Sequence, residues 1–399
     1  LQYYLAERQH ENQVIIASTG IGKTEAALFW IGGGKGIFTL PLKVSINAIY
    51  DRVHKDFDYK QVGLLHSDSH LEYMKRAEGQ EFNLAALNHT KQLSMPLTIT
   101  TLDQIIDFVA RYPGFELKLA IFSYSKLIID EIQMYSPRLV AFLVMGLKYI
   151  TEMGGKFLIM TATLPPLFIE AIRREGIKFN MPERPFLKLN EQGNVMQRHV
   201  MKIVEKSLCI DEICHHDLEQ KVLIIVNTVK KAQELYQHLK ERKIKSNLLH
   251  SLFIKEHRQE KEDQIKDLGK RSCNAHGIWI TTQLVEASID IDFDLLLTEL
   301  SDATGLFQRM GRVYRGREYM RDTPNVYVFT GEPLPSGISA TSKKSVVDYT
   351  IYEKSKEVLL KYDNQPLSEA LKMEIVSEIY SREALGEECA YVKEFDETL

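Results

Sequence analysis

The sequence predicts an α/β fold built from parallel sheets that are flanked by helices. Short β-branched runs alternate with helical patterns along most of the chain, as expected where crossover helices join parallel strands. This alternation pauses across residues 182–217, a polar and then charged stretch that contains proline, and it resumes at residue 222. With 399 residues, the chain is also too long for one ordinary core. We therefore expect two α/β domains that are joined near residue 190.

The expected domain boundaries follow from local composition. Residues 331–342 are rich in Gly, Pro and Ser, and charged helical patterns follow them. The sequence thus predicts a first domain at 1–188, a second at 189–332 and a truncated helical extension at 333–399. The predicted strands are 14–16, 36–40, 63–66, 97–100, 127–130 and 157–161 in the first domain, and 222–226, 246–250, 277–281, 295–298 and 325–330 in the second, with helices expected at 139–147 and 229–242.

Composition restricts the class of protein only loosely. A net charge of −4 argues against a basic surface over the whole chain, yet 50 Lys and Arg residues are enough to line a local groove for phosphates. The four cysteines form no CxxC pair, which predicts reduced thiols and a cytoplasmic location. We expect no membrane contact, because no apolar stretch approaches the roughly 20 residues that a spanning helix needs. Since the chain begins at Leu1, we expect further sequence upstream in the intact protein.

A glycine-containing loop predicts a site for a nucleoside triphosphate. Residues 17–24 read ASTGIGKT, directly after the β-branched run at 14–16 and directly before the helix-favouring EAALFW. In such a loop, glycines let backbone N–H groups close around phosphates, the lysine approaches the β and γ phosphates, and the threonine hydroxyl binds Mg²⁺. ATP and Mg²⁺ are the expected cofactors. The expected nucleotide-binding residues of this loop are Ser18, Thr19, Gly20, Ile21, Gly22, Lys23 and Thr24, with Thr24 also a metal ligand.

Two adjacent carboxylates end the predicted strand at 127–130. Ligands bind at the carboxyl ends of parallel strands, so Asp130 and Glu131 are expected beside Lys23 and Thr24. Asp130 is then expected to anchor Mg²⁺, and Glu131 to orient and deprotonate the attacking water. A solvated acidic strand end is the alternative for this motif taken alone.

An arginine-rich segment in the second half suggests a further part of the same chemistry. Residues 308–315 read QRMGRVYR, which puts Arg309 and Arg312 on one helical face. Two guanidinium groups suit the spread charge of a γ-phosphate during transfer. The alternative is a surface helix that carries salt bridges.

Taken in order, these segments resemble the superfamily 2 helicases, which have two RecA-like P-loop domains. Residues 17–24 resemble motif I, 130–133 (DEIQ) motif II, 161–163 (TAT) motif III and 308–315 motif VI. The segments TLPLK (39–43), TTLDQ (100–104), VNT (226–228) and TTQLVEASID (281–290) resemble motifs Ia, Ib, IV and V. The stretches GKTEAAL, LHSLFIKEHRQEKE and TTQLVEASIDIDFD are most similar to the helicase portion of the CRISPR type I signature helicase-nuclease.

This resemblance implies an ATP-dependent DNA helicase or translocase that moves on single-stranded DNA and unwinds target DNA in CRISPR type I interference, an antiviral defence. The implied partners are single-stranded DNA, a guide-RNA surveillance complex bound to target DNA, and an HD nuclease domain located upstream or on a partner chain. Nuclease activity is not expected on this chain, because its only His-Asp dipeptide, His216-Asp217, has no partner ligands nearby in sequence.

The resemblance also implies roles for individual residues. Gln308, Arg309 and Arg312 are expected to act on the transition state beside Glu131, and Asp290 is expected to link motif V to the nucleotide. The expected contacts to the sugar and phosphate groups of the strand are Pro41, Lys43, Thr100, Thr101, Asn227, Thr228, Thr281 and Thr282.

Two other functions stay open at this stage. The first is another superfamily 2 helicase that acts on RNA or in DNA repair. The second is a docking module that holds a nucleotide without hydrolysing it. The presence of both Glu131 and the pair Arg309 and Arg312 argues against the second, because a structural nucleotide needs no water activator.

Overall fold

The computed structural model describes residues 1–76, 84–286, 290–342 and 344–399. These residues divide into two compact units. Unit 1 comprises Leu1–Leu187 and Tyr391–Leu399, and unit 2 comprises Lys188–Ala390. Each unit contains a largely parallel sheet flanked by helices, so the predicted α/β fold is confirmed.

Unit 1 has a six-stranded sheet in the order β1-β6-β5-β2-β4-β3, and every neighbouring pair is parallel. Because all the strands are parallel, their carboxyl ends lie at one edge of the sheet, where ligands of α/β proteins bind. The strands are β1 Gln13–Ile16, β2 Lys35–Thr39, β3 Val62–Leu65, β4 Leu97–Thr100, β5 Ser125–Asp130 and β6 Lys156–Thr161. The helices are α1 Gln2–Ala6, α2 Lys23–Ile31, α3 Lys43–Asp51, α4 Ser69–Arg76, α5 Leu84–Lys91, α6 Phe115–Phe122, α7 Pro137–Glu152 and α8 Pro166–Arg174.

The central strand β5 is apolar on both sides because helices cover both faces of the sheet. Leu127 and Ile129 pack in one core cluster with Val144 of α7, whereas Ile128 packs in the other with Trp30 of α2. A strand that is buried on both faces reads as a continuous apolar run, as this one does. This double burial fixes the place at which the following two carboxylates emerge.

Unit 2 has a seven-stranded sheet in the order β13-β7-β12-β11-β8-β10-β9, in which only the short edge strand β13 is antiparallel to its neighbour. Its strands are β7 Val200–Lys206, β8 Lys221–Ile225, β9 Ser246–Leu249, β10 Gly277–Thr281, β11 Leu295–Glu299, β12 Val326–Glu332 and β13 Gln365–Pro366. Its helices are α9 Ile210–Cys214, α10 Val229–Glu241, α11 Lys255–Leu268, α12 Ala303–Met310, α13 Tyr349–Leu360, α14 Glu369–Ile379 and α15 Arg382–Leu385; a last helix, α16, spans Ala390–Thr398.

The structure differs from the sequence prediction in two places. Strand β7 lies within residues 182–217, which the sequence analysis treats as a pause between domains. The residues after 332 do not form a separate extension, because α13 to α15 pack within unit 2 and residues 391–399 belong to unit 1. There Phe395 of α16 is fully buried in the unit 1 core, beside Phe168 of α8. In the part of the chain that the structure describes, no helix is both long and apolar enough to cross a bilayer.

Candidate nucleotide-binding site

The loop between β1 and α2 has the backbone that a phosphate site requires. Gly20 and Gly22 have φ values of 77° and 87°, in the left-handed region that glycine adopts without steric cost. Gly22 is the N-cap of α2, so the positive end of this helix points into the loop. The Gln2 amide nitrogen donates to the carbonyl oxygens of Ile21 and Gly22, at 3.1 and 3.2 Å. The loop is therefore braced from the N-terminal helix.

The two carboxylates after β5 lie beside the lysine of this loop, as predicted from the strand ends. Nζ of Lys23 is 2.5 Å from Oε1 of Glu131 and 3.8 Å from Oδ1 of Asp130. One ammonium group therefore faces two carboxylates, which leaves a negative charge at a largely buried position. Such a cluster favours the approach of a further cation.

Glu131 is held in place from several sides. It is a non-glycine residue in the left-handed region, with φ of 53°, and its backbone N–H donates to the carbonyl of Met160 at 2.9 Å. Nε2 of Gln133 donates to Oε2 of Glu131 at 2.7 Å, and the hydroxyl of Thr161 lies 3.5 Å from the same oxygen and also bonds the Gln133 amide oxygen. Motif III therefore orients motif II through this threonine.

The environments of the two acids push their pKa values apart. Burial raises the pKa of Asp130 to about 7, against the opposing charge of Lys23. Burial also acts on Glu131, but Lys23 and the hydrogen bonds to its carboxylate outweigh it, so the pKa of Glu131 is lowered. Glu131 is thus the member of the pair that loses its proton more readily.

The oxygen atoms at this edge fit a magnesium ion. Among the described residues, no donor hydrogen-bonds the buried Oδ1 of Asp130. Thr24 is the second residue of α2, directly after Lys23. A carboxylate oxygen and a hydroxyl are ligands that Mg²⁺ accepts, together with phosphate oxygens. An unsatisfied carboxylate oxygen beside a phosphate loop is the feature that a metal ion would satisfy.

In unit 2, Arg309 of motif VI lies in the core of the unit. It lies on α12, is fully buried, and donates from all five N–H groups of its guanidinium. Its acceptors come from three separate segments of unit 2: Glu286 Oε1 at 2.7 Å, Asn227 Oδ1 at 3.0 Å, and the stretch 298–301 with Thr298 Oγ1 at 2.9 Å, the Glu299 carbonyl at 2.6 Å and Ser301 Oγ at 3.2 Å. Contact with a phosphate would require several of these bonds to break.

The other candidates of this segment differ in exposure. Arg312 is mostly buried and donates to the carbonyls of Val285 and Glu286, at 2.7 and 2.6 Å. The Arg315 side chain is one-third exposed and pairs with Asp290 at 2.8 Å. Gln308 is half-buried on α12. The expected roles of Gln308, Arg309 and Arg312 at the transition state, and of Asp290 at the nucleotide, stay predictions; residues 287–289 of motif V lie outside the described residues.

The residues of unit 1 that are expected to contact the nucleic acid lie at the carboxyl ends of two neighbouring β-strands. Pro41 and Lys43 follow β2. Thr100 is the last residue of β4 and Thr101 follows it. The two β-strands pair with Thr39 opposite Thr100. Lys43 is half-exposed and pairs with Asp68 at 2.9 Å. The Thr100 hydroxyl is buried and donates to the Thr101 carbonyl at 3.0 Å. The Thr100 hydroxyl is therefore already hydrogen-bonded within the protein, which leaves backbone groups for any contact with a nucleic acid.

The residues of unit 2 that are expected to contact the nucleic acid lie at the carboxyl ends of β8 and β10. Asn227 and Thr228 follow β8. Thr281 is the last residue of β10, which pairs with β8, and Thr282 follows it. Asn227 is almost fully buried, and its amide donates to the Leu300 carbonyl at 2.9 Å. Thr228 caps α10 through a 3.3 Å bond from the N–H of Lys231. The structure brings these residues together, whereas their contact with a nucleic acid stays a prediction.

Three residues that contact the phosphate loop or motif VI could not be identified as site residues from the sequence. Gln2 braces the phosphate loop, Glu286 pairs with Arg309, and Arg198 donates to the Arg315 carbonyl at 3.1 Å. The only available signal was for Glu286, which lies inside motif V at 281–290. Gln2 and Arg198 lie far along the chain from their partners and carry no local pattern.

Comparisons with known proteins agree with this fold. A family model described as a DEAD/DEAH box helicase matches residues 2–172, and one described as the C-terminal part of the CRISPR-associated nuclease/helicase Cas3 matches residues 218–318. The chain belongs to the superfamily 2 helicases.

Within that superfamily, the chain is most like the helicase portion of Cas3. It is 31% identical over 397 residues to the Cas3 nuclease/helicase of Methanothermobacter thermautotrophicus, covering 94% of this chain and 46% of that protein. It is 28% identical over 361 residues to the Cas3 endonuclease/helicase of Escherichia coli, covering 76% of this chain and 40% of that protein. The chain thus spans less than half the length of these curated relatives.

Solved structures share the fold. The crystal structure of T. fusca Cas3 with ADP matches with a TM-score of 0.78 at 20% identity, covering 99% of this chain and 54% of that chain. A chain of a CRISPR RNA-guided surveillance complex in its pre-nicking state matches with a TM-score of 0.71 at 20% identity, covering the whole of this chain and 54% of that chain.

Proposed function

We propose that this chain is an ATP-dependent translocase that moves on single-stranded DNA and unwinds target DNA in CRISPR type I interference. The observation that carries the proposal is the cluster of Lys23, Asp130 and Glu131 at the carboxyl edge of the unit 1 sheet. It combines a phosphate-binding lysine, an unsatisfied carboxylate oxygen and an anionic base. Membership in the superfamily 2 helicases supports the same function.

The lysine has a different partner in each state of the proposed cycle. Without nucleotide, Lys23 neutralises Glu131. When the triphosphate binds, its β and γ oxygens attract the ammonium group away from Glu131, which then accepts a hydrogen bond from the attacking water. Gln133 and Thr161 keep the Glu131 carboxylate oriented through this exchange. Asp130 and Thr24 would hold Mg²⁺, which supplies charge neutralisation at the phosphates when bound.

Arg309 is assigned a different role from the other polar side chains of motif VI, because it is the most deeply buried of them. Arg309 positions α12 and the strand ends around it, because all five of its donors are used inside unit 2. Gln308 and Arg312 are retained as the groups that stabilise the transition state, and Arg315 joins them because its guanidinium is partly exposed.

The strand track uses backbone groups at the carboxyl edges of both sheets. Contacts of this type hold sugar and phosphate without reading base sequence, which suits a motor that moves along any target. The proposed partners are a guide-RNA surveillance complex bound to target DNA and an HD nuclease domain in the intact protein or on a partner chain. The match between this fold and a chain of the pre-nicking surveillance complex supports the first of these partners.

A phosphate-release assay tests the proposal. The purified chain is given ATP and Mg²⁺ with no nucleic acid, with single-stranded DNA, and with single-stranded RNA of the same sequence. We expect hydrolysis that DNA stimulates and RNA stimulates far less. Stronger stimulation by RNA would favour an RNA helicase, and no hydrolysis under any condition while ATP still binds would favour a docking module.

A further inference from the structure

Helices from the segment after β12 contact the first turn of the motif VI helix. Asp302 caps α12 by accepting from the backbone N–H groups of Thr304 and Gly305. The Tyr380 hydroxyl, at the end of α14, donates to the same Asp302 carboxylate at 2.6 Å. The hydroxyl of Ser355 on α13 accepts the N–H of Ala303 at 3.1 Å. Two separate helices therefore fix the start of α12.

A buried polar cluster contacts the chain that leaves the other end of α12. His199 donates from Nε2 to the Val313 carbonyl at 2.8 Å. Lys372 of α14 donates to the other ring nitrogen of His199 at 3.1 Å. Because a carbonyl can only accept and an ammonium can only donate, His199 must be neutral with its proton on Nε2. Its neighbour Arg198 donates to the carbonyl of Arg315, the partly exposed arginine of motif VI.

One carboxylate holds this cluster together. Glu369 on α14 pairs with Arg198 and with Lys372, the latter at 2.7 Å. Both cations and His199 are almost fully buried, with exposures of 3%, 3% and 0% for Arg198, Lys372 and His199. A buried ion cluster of this kind is costly unless each charge has its partner, so the positions of its members are tightly fixed. Lys372 and Arg198 hold the pKa of Glu369 well below its usual range despite the burial that opposes them.

We propose that α13 and α14 form a brace that positions motif VI, with Tyr380 and Ser355 acting at the start of α12 and Lys372 and Glu369 acting on its exit through His199 and Arg198. These are positioning residues, because they act through α12 and the carbonyls of Val313 and Arg315. The inference deepens the proposed function, on which its catalytic consequence rests. It gives a role to a segment that the sequence analysis treated only as an extension.

Two variants remove one contact from each end while keeping the fold. Tyr380→Phe keeps the ring and removes only the hydroxyl that bonds Asp302. Lys372→Met leaves Arg198 paired with Glu369, so one buried cation and one buried carboxylate remain as an ion pair. Lys361→Met is the matched control, because Lys361 pairs with Glu378 between the same two helices but is half-exposed and does not contact motif VI.

The first measurement is hydrogen exchange of the amides of residues 303–313 in the purified chain. We expect exchange at least about threefold faster in Tyr380→Phe and in Lys372→Met, and unchanged in Lys361→Met, because only the first two remove contacts to α12 or its exit. The second is DNA-stimulated hydrolysis, in which kcat should fall about tenfold with little change in the KM for ATP, since misplaced groups act on the transition state.

The outcomes separate the brace from the proposed function. If the wild-type chain does not hydrolyse ATP, the proposed function fails, and exchange alone decides the brace. Unchanged exchange in both variants, or equal acceleration in the Lys361→Met control, overturns the brace. Faster exchange with an unchanged kcat in an active enzyme also overturns it, because the contacts would then stabilise the helix without positioning its arginines.

Discussion

The carboxyl edges of the two sheets follow the same strand order but differ in how completely their polar groups are hydrogen-bonded. Apart from the short β13, the order β1-β6-β5-β2-β4-β3 in unit 1 corresponds to β7-β12-β11-β8-β10-β9 in unit 2. At the unit 1 edge, a buried oxygen of Asp130 lacks a hydrogen-bond partner among the described residues. At the unit 2 edge, Arg309 uses every donor it has. The unit 1 edge thus keeps a polar atom available to a ligand, whereas Arg309 at the unit 2 edge holds segments of its own unit in position.

Corresponding carboxylates show the same contrast. In unit 1, Asp130 ends the third strand from the β1 edge, Glu131 follows it, and the two carboxylates share one lysine. In unit 2, Glu299 ends the equivalent strand β11 and accepts from the N–H groups of Asn227 and Ser336, both at 2.9 Å. The same topological position therefore holds a carboxylate oxygen without a hydrogen bond from the described residues in unit 1 and a hydrogen-bonded carboxylate in unit 2.

The largest expected effect is the loss of ATP hydrolysis when Glu131 of unit 1, rather than Glu299 of unit 2, is replaced. Glu131→Gln should lower DNA-stimulated kcat by about 10²–10⁴-fold, because an amide cannot accept the proton of the attacking water. The protein should still bind ATP and should unfold at the wild-type temperature. Glu299→Gln is the matched variant, and it should lower the unfolding temperature while reducing kcat far less. Phosphate release and thermal unfolding measure the two effects, and equal losses of kcat would remove the distinction between the edges.

The next effect tests the structural role of Arg309. Arg309→Met should destabilise unit 2 by about 3–5 kcal/mol, because Glu286 is left as a buried charge without its partner. Unfolding in urea, followed by a probe in unit 2, measures this loss. Arg242→Met is the control, since Arg242 forms an exposed pair with Asp211 whose removal should cost at most about 1 kcal/mol. A stable Arg309→Met protein that has lost only hydrolysis would instead favour direct contact between Arg309 and the phosphates.

The smallest effect is a pH dependence in the brace. Burial, with the cations Lys372 and Arg198 nearby and Glu369 opposing them, holds the pKa of His199 well below its ordinary value. Below about pH 6.5 the unfolded chain therefore binds a proton that the folded chain does not, and folding stability should fall by about 1.4 kcal/mol per pH unit from this group. Above that pH its contribution is constant.

Replacing the histidine isolates this dependence. His199→Gln keeps one donor and one acceptor and should flatten the slope of stability against pH between about pH 5 and 6.5. His250→Gln is the control, because the pKa of the buried His250 is lowered less strongly than that of His199. Urea unfolding at several pH values gives both slopes. An equal slope in the wild type and in His199→Gln would mean that His199 is protonated in the folded protein.

The nucleotide edge could be predicted from the sequence because its signals are local. The loop at 17–24 and the pair Asp130 and Glu131 each follow a short apolar strand, and the strand-end rule then brings them together. By contrast, the saturation of Arg309 depends on acceptors at 227, 286 and 298–301, which no spacing rule connects. The sequence pattern of motif VI shows which face the arginines share, but it does not show whether that face is buried.

The errors in the fold have a similar cause. Strand β7 carries charged residues at one end and lies in a polar region, and Lys202 interrupts its apolar positions Val200, Met201, Ile203 and Val204, so the local pattern does not indicate a strand. The last helix, α16, has a charged sequence and contributes Phe395 to the unit 1 core, far along the chain from its partners. Packing over such sequence distances is decided by the tertiary structure and leaves little local pattern.

The most direct test of the central claim, that the edge of unit 1 performs the phosphate chemistry, pairs hydrolysis with strand binding. Phosphate release and single-stranded DNA binding are measured for the wild type, for Lys23→Ala and for the exposed-lysine control Lys60→Ala. We expect Lys23→Ala to abolish hydrolysis and to keep binding to single-stranded DNA, and Lys60→Ala to change neither. Continued hydrolysis in Lys23→Ala, or loss of its strand binding with hydrolysis intact, would contradict the claim.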